Sequence, residues 1–171
     1  MTSRRVGFIG LGNMGGRMTR RLAGAGYEVL GYDPVAGKAA AAGAIPADSV
    51  ADVVTATDCV LMSLPDSSVI EPVVLGPAGV LESCRPGQVI VDLSTAAPGS
   101  TIRLHAALAE RGAEYLDAGI SGGAAAAEKG TLTVMVGGAE TALRSVVGVF
   151  EPIAATGCTW EPAAPGTRRR S

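Results

Sequence analysis

The stretch that decides the fold is Val6-Gly7-Phe8-Ile9-Gly10-Leu11-Gly12-Asn13-Met14-Gly15, in which glycines stand where an apolar strand turns into a helix. Gly10 permits a tight turn, Gly12 lets the backbone approach phosphate oxygens, and Gly15 lets the helix pack against the strand. Amide N–H groups and the helix dipole favour an anion at such a turn. The alternative is a structural turn that is glycine-rich by chance. We predict a dinucleotide site formed by Gly10, Leu11, Gly12, Asn13, Met14 and Gly15.

Asp33 is the second feature of the predicted site. It follows the apolar segment Glu28 to Tyr32, at the position where a carboxylate can accept hydrogen bonds from both hydroxyls of an adenosine ribose. Because this carboxylate would repel a ribose 2′-phosphate, and because Lys38 is the nearest cation, the sequence favours NAD over NADP. The alternative role is that Asp33 caps a helix beginning at Pro34, and both roles can hold together.

Composition indicates a single soluble domain that could bury one good core. The net charge of −2 gives no reason to expect a nucleic-acid partner, and no apolar run is long enough to cross a membrane. Cys59, Cys84 and Cys158 are widely spaced and odd in number, which favours free thiols in a reducing cytoplasm. No secretory signal follows Arg4 and Arg5. We therefore expect a cytoplasmic protein.

Strand-like and helix-like segments alternate along the chain, as a sheet covered by helices on both faces requires. The predicted fold class is α/β, with a Rossmann-type doubly wound, mostly parallel sheet. The predicted strands are Val6 to Ile9, Glu28 to Tyr32, Cys59 to Met62, Val89 to Asp92, Glu114 to Asp117, Leu132 to Val136 and Ile153 to Thr156. The predicted helices are Asn13 to Ala25, Val35 to Ala42, Ser49 to Ala56, Ser67 to Val74, Pro98 to Arg111 and Glu140 to Phe150. Ala124 to Ala127 is predicted as a small-residue run in a glycine-rich loop.

Three polar segments directly follow predicted strands. Ligands in such sheets bind beyond the carboxyl ends of the strands, so Ser63 to Asp66, Asp92 to Thr95 and Asp117 to Gly123 are candidate binding loops. Small polar residues beside glycines can bind a carboxylate or hydroxyl without crowding it. Two alternatives stay open: Ser94-Thr95 could simply cap the following helix, and Ser121 to Gly123 could be an ordinary turn.

In order and spacing, these segments resemble the β-hydroxyacid dehydrogenase family, in particular its 3-hydroxyisobutyrate dehydrogenase and tartronate semialdehyde reductase branch. Gly7 to Gly15 resembles the cofactor signature of the family. Asp117 to Gly123, followed by Gly130 to Gly138, resembles its substrate-loop signature. The resemblance covers roughly Arg4 to Thr159. Gly119 departs from the pattern because the family often has proline there, so a more flexible loop could loosen substrate choice.

The resemblance implies reversible hydride transfer between NAD and a small 3-hydroxy acid. A related imine or phosphogluconate reductase is one alternative, and a non-enzymatic NAD-binding module is another. The cofactor contacts that the resemblance implies beyond the glycine turn and Asp33 are Leu64, Pro65, Val69 and Thr95. The residues that it implies for the substrate carboxylate are Ser121, Gly122 and Gly123.

The acid–base lysine of the family has no counterpart in this sequence. Proton transfer needs a group within hydrogen-bond reach of the substrate oxygen, which in the family is a lysine opening the helix after the dinucleotide domain. The lysines here are Lys38 and Lys129, and neither occupies that place. We predict that Lys129 is a solvated loop charge and that His105 is structural or exposed. No catalytic residue is therefore assigned, and the chain alone is expected to be inactive or very weak.

The resemblance ends near residue 159, so we predict a dinucleotide-binding domain over residues 1–159 and an atypical basic tail over 160–171. Family members continue instead with a Gly-x-Gly segment, the lysine and an all-helical second domain, which we expect to be missing here. We predict that the reading frame shifts after about Trp160, the alternative being a deliberately or naturally short protein. Without that domain the substrate pocket would be open and an apolar face uncovered, which predicts marginal stability, self-association or dependence on a partner.

Overall fold

The computed structural model describes residues 4–162, which form one sheet with helices on both faces. Within this range the sheet order is β3-β2-β1-β4-β5-β6-β7-β8, and only the β6–β7 pair is antiparallel. The predicted α/β, Rossmann-type class is confirmed. The strands are β1 (Arg5–Ile9), β2 (Glu28–Tyr32), β3 (Ile45–Pro46), β4 (Cys59–Met62), β5 (Val89–Asp92), β6 (Glu114–Ser121), β7 (Leu132–Gly138) and β8 (Ala154–Pro162).

Helices cover the central strands on both sides, and the sheet separates the buried apolar side chains into two cores. Phe8 and Ile9 are adjacent in β1 but belong to different cores, because successive side chains of a strand point to opposite faces. This burial on both sides explains the continuous apolar runs of the central strands. The helices are α1 (Asn13–Gly24), α2 (Lys38–Ala41), α3 (Val50–Ala56), α4 (Ser67–Leu75), α5 (Val80–Ser83), α6 (Pro98–Glu110), α7 (Gly123–Lys129) and α8 (Glu140–Val146), with a 3-10 helix at Val147–Phe150.

The helix predicted over Val35 to Ala42 was placed wrongly at its start, since α2 begins at Lys38. The carboxylate of Asp33 accepts a hydrogen bond from the Val35 N–H at 2.9 Å, which holds the chain in a turn before the helix begins. Ser49, the first residue of the helix predicted over Ser49 to Ala56, is the N-cap residue of α3, and its hydroxyl accepts a hydrogen bond from the Asp52 N–H at 3.1 Å.

The run Ala124 to Ala127 was wrongly predicted as loop and lies in helix α7. Gly122 precedes the helix and Gly130 follows it, both with positive φ, so the glycines delimit a short helix. Lys129 is exposed, as predicted, but it ends this helix and does not lie in a loop. Strand β3 and helix α5, of two and four residues, were not predicted because such short segments carry no readable period.

The carboxyl-terminal strand is longer than predicted. Strand β8 continues to Pro162 and pairs with β7 beyond residue 159, where the domain boundary was predicted. The remainder of the predicted basic tail, residues 163–171, lies outside the described residues, together with most of the segment that the frame-shift hypothesis concerns. The helix predicted over Glu140 to Phe150 changes to 3-10 geometry at Val147.

The three cysteines are not joined by disulfide bonds. Cys59, Cys84 and Cys158 are free thiols, and burial, with a smaller contribution from Asp58, raises the pKa of Cys59 to about 12. A thiol with so high a pKa is unreactive near neutral pH.

Among the described residues, no helix combines the length and apolar character that crossing a bilayer requires.

The first prediction concerns the contact of α1 with the turn that precedes it. A Cβ at Gly15 would overlap the carbonyl oxygen of Gly10, whereas a Cβ at Gly24 in the same helix would meet nothing within 4 Å. We expect Gly15→Ala to lower the free energy of unfolding by about 2 kcal/mol or more. Gly24→Ala is the matched control and should cause no loss. Urea unfolding followed by circular dichroism tests this, and equal stabilities of the two variants would contradict it.

Candidate cofactor-binding site

A cavity of about 680 Å³ lies at the carboxyl ends of strands β1, β2 and β4. This volume falls within the range of about 300–1,000 Å³ that is typical of small-molecule sites. The structure brings most of the predicted cofactor residues together here. Those that line the cavity are Gly10, Gly12, Asn13, Met14, Gly15, Asp33, Leu64, Pro65 and Val69.

The glycine turn forms the floor of the cavity. Gly10 has φ +92°, and a Cβ there would overlap the carbonyl oxygen of Ser63, so this position requires glycine. The Gly10 N–H donates to the Tyr32 carbonyl at 3.0 Å, which fixes the turn against β2. A Cβ added at Gly12 would meet no atom within 4 Å other than those of its chain neighbours. A ligand can therefore approach the backbone at Gly12.

Helix α1 begins at this floor. Gly12 is its N-cap residue, no side chain caps it within the described part of the chain, and its first turn holds no acidic residue. The partial positive charge at a helix N-terminus, equivalent to about 0.5 of an elementary charge, is therefore directed toward an open cavity. This arrangement favours a phosphate group.

Asp33 connects the end of β2 to the glycine turn. Its Oδ2 accepts a hydrogen bond from the Leu11 N–H at 2.8 Å, and its Oδ1 accepts one from the Val35 N–H at 2.9 Å. It does not cap α2, whose N-cap residue is Gly37. A carboxylate has about four acceptor positions, so two remain for hydroxyl groups of a ligand in the cavity.

Two predicted cofactor residues lie outside the cavity lining. The side chain of Leu11 is buried in the core beside Gly31, so Leu11 supports the turn through its N–H and its packing. Thr95 is exposed beyond the end of β5. A sequence motif marks such positions but does not tell which of its side chains face the ligand.

The sequence analysis found Val69 of α4 but missed the rest of this wall of the cavity, which comes from later residues of α4 and the loop that follows it. Pro72 and Val73 form the helical part of this wall. Pro77, Ala78 and Gly79 form the loop, in which Ala78 has φ +55°. Positive φ is uncommon for alanine. The Pro-Ala-Gly turn was the available signal, but nothing local shows that it faces the cavity.

The predicted substrate residues lie elsewhere. Ser121 ends strand β6, and Gly122 and Gly123 lead into α7 with φ +129° and +70°; all three are exposed and outside the cavity lining. The segment is thus a junction between a strand and a helix. In the described residues, Lys38, Lys129 and His105 do not line the cavity either.

The loops after β4 and β5 are held together by hydrogen bonds. Ser94 Oγ accepts from the Leu64 N–H at 2.8 Å, and Ser67 Oγ accepts from the Ala97 N–H at 2.9 Å. The alternative that Ser94-Thr95 caps α6 does not hold, because Ala97 is the N-cap residue and the side-chain hydrogen bond at its N–H is with Ser67. Among residues 4–162, no group of three or more His, Cys, Asp or Glu residues could hold a metal ion.

Comparison with known proteins identifies a family over most of the chain. Residues 5–161 match the family described as the NAD binding domain of 6-phosphogluconate dehydrogenase. The sequence is 40% identical over 152 residues to 2-(hydroxymethyl)glutarate dehydrogenase of Eubacterium barkeri, covering 87% of this chain and 50% of that protein. The chain thus spans about half the length of the curated relatives that it matches.

Solved structures agree with this assignment. Mycobacterium tuberculosis 3-hydroxyisobutyrate dehydrogenase with L-serine has a TM-score of 0.87 and 35% identity, covering 96% of this chain and 56% of that one. The structure of Psf3 in complex with NADP+ and 2-OPP has a TM-score of 0.88 and 33% identity, covering 94% and 57% of the two chains. The predicted resemblance to the 3-hydroxyisobutyrate dehydrogenases is confirmed.

The second prediction concerns the link between Asp33 and the glycine turn. Asn has one side-chain acceptor oxygen, so Asp33→Asn leaves the N–H of Leu11 or of Val35 facing an amide NH₂ group. We expect the free energy of unfolding to fall by about 1–2 kcal/mol. Asp48→Asn is the matched control, because Asp48 is exposed and away from the cavity. Chemical denaturation measures both variants, and a D33N protein as stable as D48N would argue against the link.

Proposed function

The chain belongs to the family of the NAD binding domain of 6-phosphogluconate dehydrogenase, and from this premise we propose that it binds NAD in the cavity above β1. The observation that carries the proposal is the convergence of an uncapped helix N-terminus, an open Gly12 and the Asp33 carboxylate on one cavity. These groups match a pyrophosphate and a ribose, respectively, in charge and hydrogen bonding. The apolar wall formed by Leu64 and by Val69, Pro72 and Val73 of α4 suits a flat base.

NAD is proposed over NADP because of the charge at the end of β2. The Asp33 carboxylate would repel a 2′-phosphate, and its remaining acceptor positions suit two neutral hydroxyl groups. Lys38, the nearest cation along the chain, is exposed at the start of α2 and does not line the cavity. Relatives of this family bind either cofactor, as the NADP+ complex of Psf3 shows for that protein.

The proposed chemistry is that of the β-hydroxyacid dehydrogenases, acting on a small 3-hydroxy acid. NAD, when bound, would supply the acceptor for a hydride from the carbon that carries the hydroxyl group. The residues of this chain would bind and orient the reactants, with Ser121, Gly122 and Gly123 proposed to hold the substrate carboxylate. Their small side chains and exposed amides support this role.

Proton transfer is the step that these residues do not supply. Within the described residues the cavity lining contains one carboxylate, Asp33, and neither of the two lysines nor the histidine of the sequence. Asp33 lies on the adenosine side, remote from the proposed reacting carbon. We therefore propose that the 171 residues alone bind NAD but turn over substrate slowly or not at all. The exposed face of β7 and β8, which includes Met135 and Trp160, is the proposed site of self-association.

The third prediction tests cofactor binding and turnover together. NADH and NADPH are titrated separately by fluorescence, and small 3-hydroxy acids, including 3-hydroxyisobutyrate and L-serine, are then assayed with NAD. We expect saturable NADH binding, at least tenfold weaker NADPH binding, and no measurable turnover. Rapid turnover would refute the proposed need for a further acid–base residue. Turnover of 6-phosphogluconate or of an imine would favour the related reductases, and failure of both nucleotides to bind would refute the proposal.

The fourth prediction concerns Gly12. Because the space around it is open, Gly12→Ala should fold, with a free energy of unfolding within about 1 kcal/mol of the wild-type value. The added methyl group would occupy the position where a phosphate approaches, so we expect the Kd for NADH to rise at least tenfold. Gly24→Ala, at the other end of α1, should leave the Kd unchanged. Equal NADH affinities of the two variants would place the pyrophosphate elsewhere.

A further inference from the structure

A buried hydrogen-bond chain runs from strand β6 to the wall of the cofactor cavity. The Tyr115 hydroxyl donates to Asp92 Oδ2 at 2.6 Å. Asp92 Oδ1 accepts from the Ser94 N–H at 2.9 Å, and Ser94 Oγ accepts from the Leu64 N–H at 2.8 Å. These hydrogen bonds therefore connect β6 through β5 to the loop after β4.

The residues that form these hydrogen bonds are buried, unlike those of hydrogen bonds on the surface. Asp92 is fully buried, Tyr115 is 1% exposed and Ser94 is 7% exposed. Burial raises the pKa of Asp92, while hydrogen bonds from Tyr115 and from both the hydroxyl and the N–H of Ser94 lower it, and the net direction is upward. A buried carboxyl group surrounded by donors is held tightly in place, because loss of any donor leaves a polar atom without compensation.

We propose that Tyr115, Asp92 and Ser94 are positioning residues that set the Leu64–Pro65 wall of the cofactor cavity. The proposal rests on the proposed NAD binding for its functional meaning, and none of the three residues lines the cavity. Their effect passes through the Leu64 N–H, for which Ser94 Oγ is the acceptor. Tyr115 is the second residue of β6, so this relay of hydrogen bonds, from Tyr115 through Asp92 and Ser94 to Leu64, links the start of that strand to the cofactor wall.

The neighbouring contacts explain why Leu64 is the residue that the relay controls. The Ser63 N–H donates to the Ile9 carbonyl at 2.9 Å, which continues the β1–β4 pairing. Leu64 is the first residue beyond this backbone pairing, and its N–H bonds to a side chain. The direction in which the chain leaves β4 therefore depends on where Ser94 holds its hydroxyl group.

Amide hydrogen exchange in the ligand-free protein tests the relay directly. Ser94→Ala removes the acceptor, and we expect the Leu64 amide to exchange at least tenfold faster, while the Ser63 amide, bonded to Ile9, keeps its rate. Ser100→Ala is the matched control, because Ser100 is a buried serine of α6 whose hydroxyl has no partner within the described range. It should leave both amides unchanged. Parallel acceleration of Ser63 and Leu64 in S94A would indicate general loosening and contradict the relay.

Tyr115→Phe tests whether the connection extends beyond Ser94. If Ser94 acted only locally, this substitution would leave the exchange rate of the Leu64 amide unchanged. The hydrogen bonds of Tyr115 reach Leu64 only through Asp92 and Ser94, and we expect Y115F to accelerate Leu64 exchange about two- to fivefold and to raise the Kd for NADH. In the S94A background Y115F should add nothing to either quantity, because the connection is already broken. Additive effects in the double variant, or no effect of Y115F on Leu64, would overturn the relay.

The two proposals can fail separately. If wild-type protein does not bind NADH, the proposed function falls, and the exchange rate of the Leu64 amide still decides the relay. If wild-type protein and S100A bind NADH and S94A binds it equally well with an unchanged Leu64 amide, the relay falls and the proposed function stands. We expect S94A to raise the Kd for NADH about fivefold or more.

Discussion

The close approach of three backbone segments at Gly10 is the constraint on which the site depends. Gly10 lies against the Ser63 carbonyl on one side, and its own carbonyl lies against Gly15 on the other, so neither position has room for a side chain. The end of β1, the start of α1 and the end of β4 are thereby brought into contact. The resulting turn leaves Gly12 and the helix N-terminus open to the cavity. Folding and the proposed ligand recognition here use the same few atoms.

Asp33 and Ser94 extend this constraint outward through side-chain hydrogen bonds to backbone N–H groups. Asp33 fixes Leu11 within the glycine turn, and Ser94 fixes Leu64 on the facing wall. Both use a short, rigid side chain, which loses little conformational entropy when it is ordered. The cavity is therefore held in shape from both sides before a ligand enters, which lowers the ordering that binding would require.

The sequence predicted the central strands and α1 well, because continuous apolar runs and a helical apolar face carry strong periodic signals. It failed where few residues decide the structure. The start of α2 depends on one Asp33 hydrogen bond, and α7 is a short alanine helix bounded by glycines that resembles a loop in composition. The predicted glycine turn and Asp33 do line one cavity, but the α4 wall and the Tyr115 contact join residues far apart in the chain, which no local pattern reveals.

Amide chemical-shift mapping with NADH tests the central claim most directly, because it reports which backbone groups the ligand reaches. Binding at the glycine turn predicts the largest shifts at the N–H groups of Gly12 to Gly15, with smaller ones at Asp33 and Leu64. Strand β8, at the far edge of the sheet, should show little change. Saturable shifts confined to residues away from the turn, or none at millimolar NADH, would contradict the account.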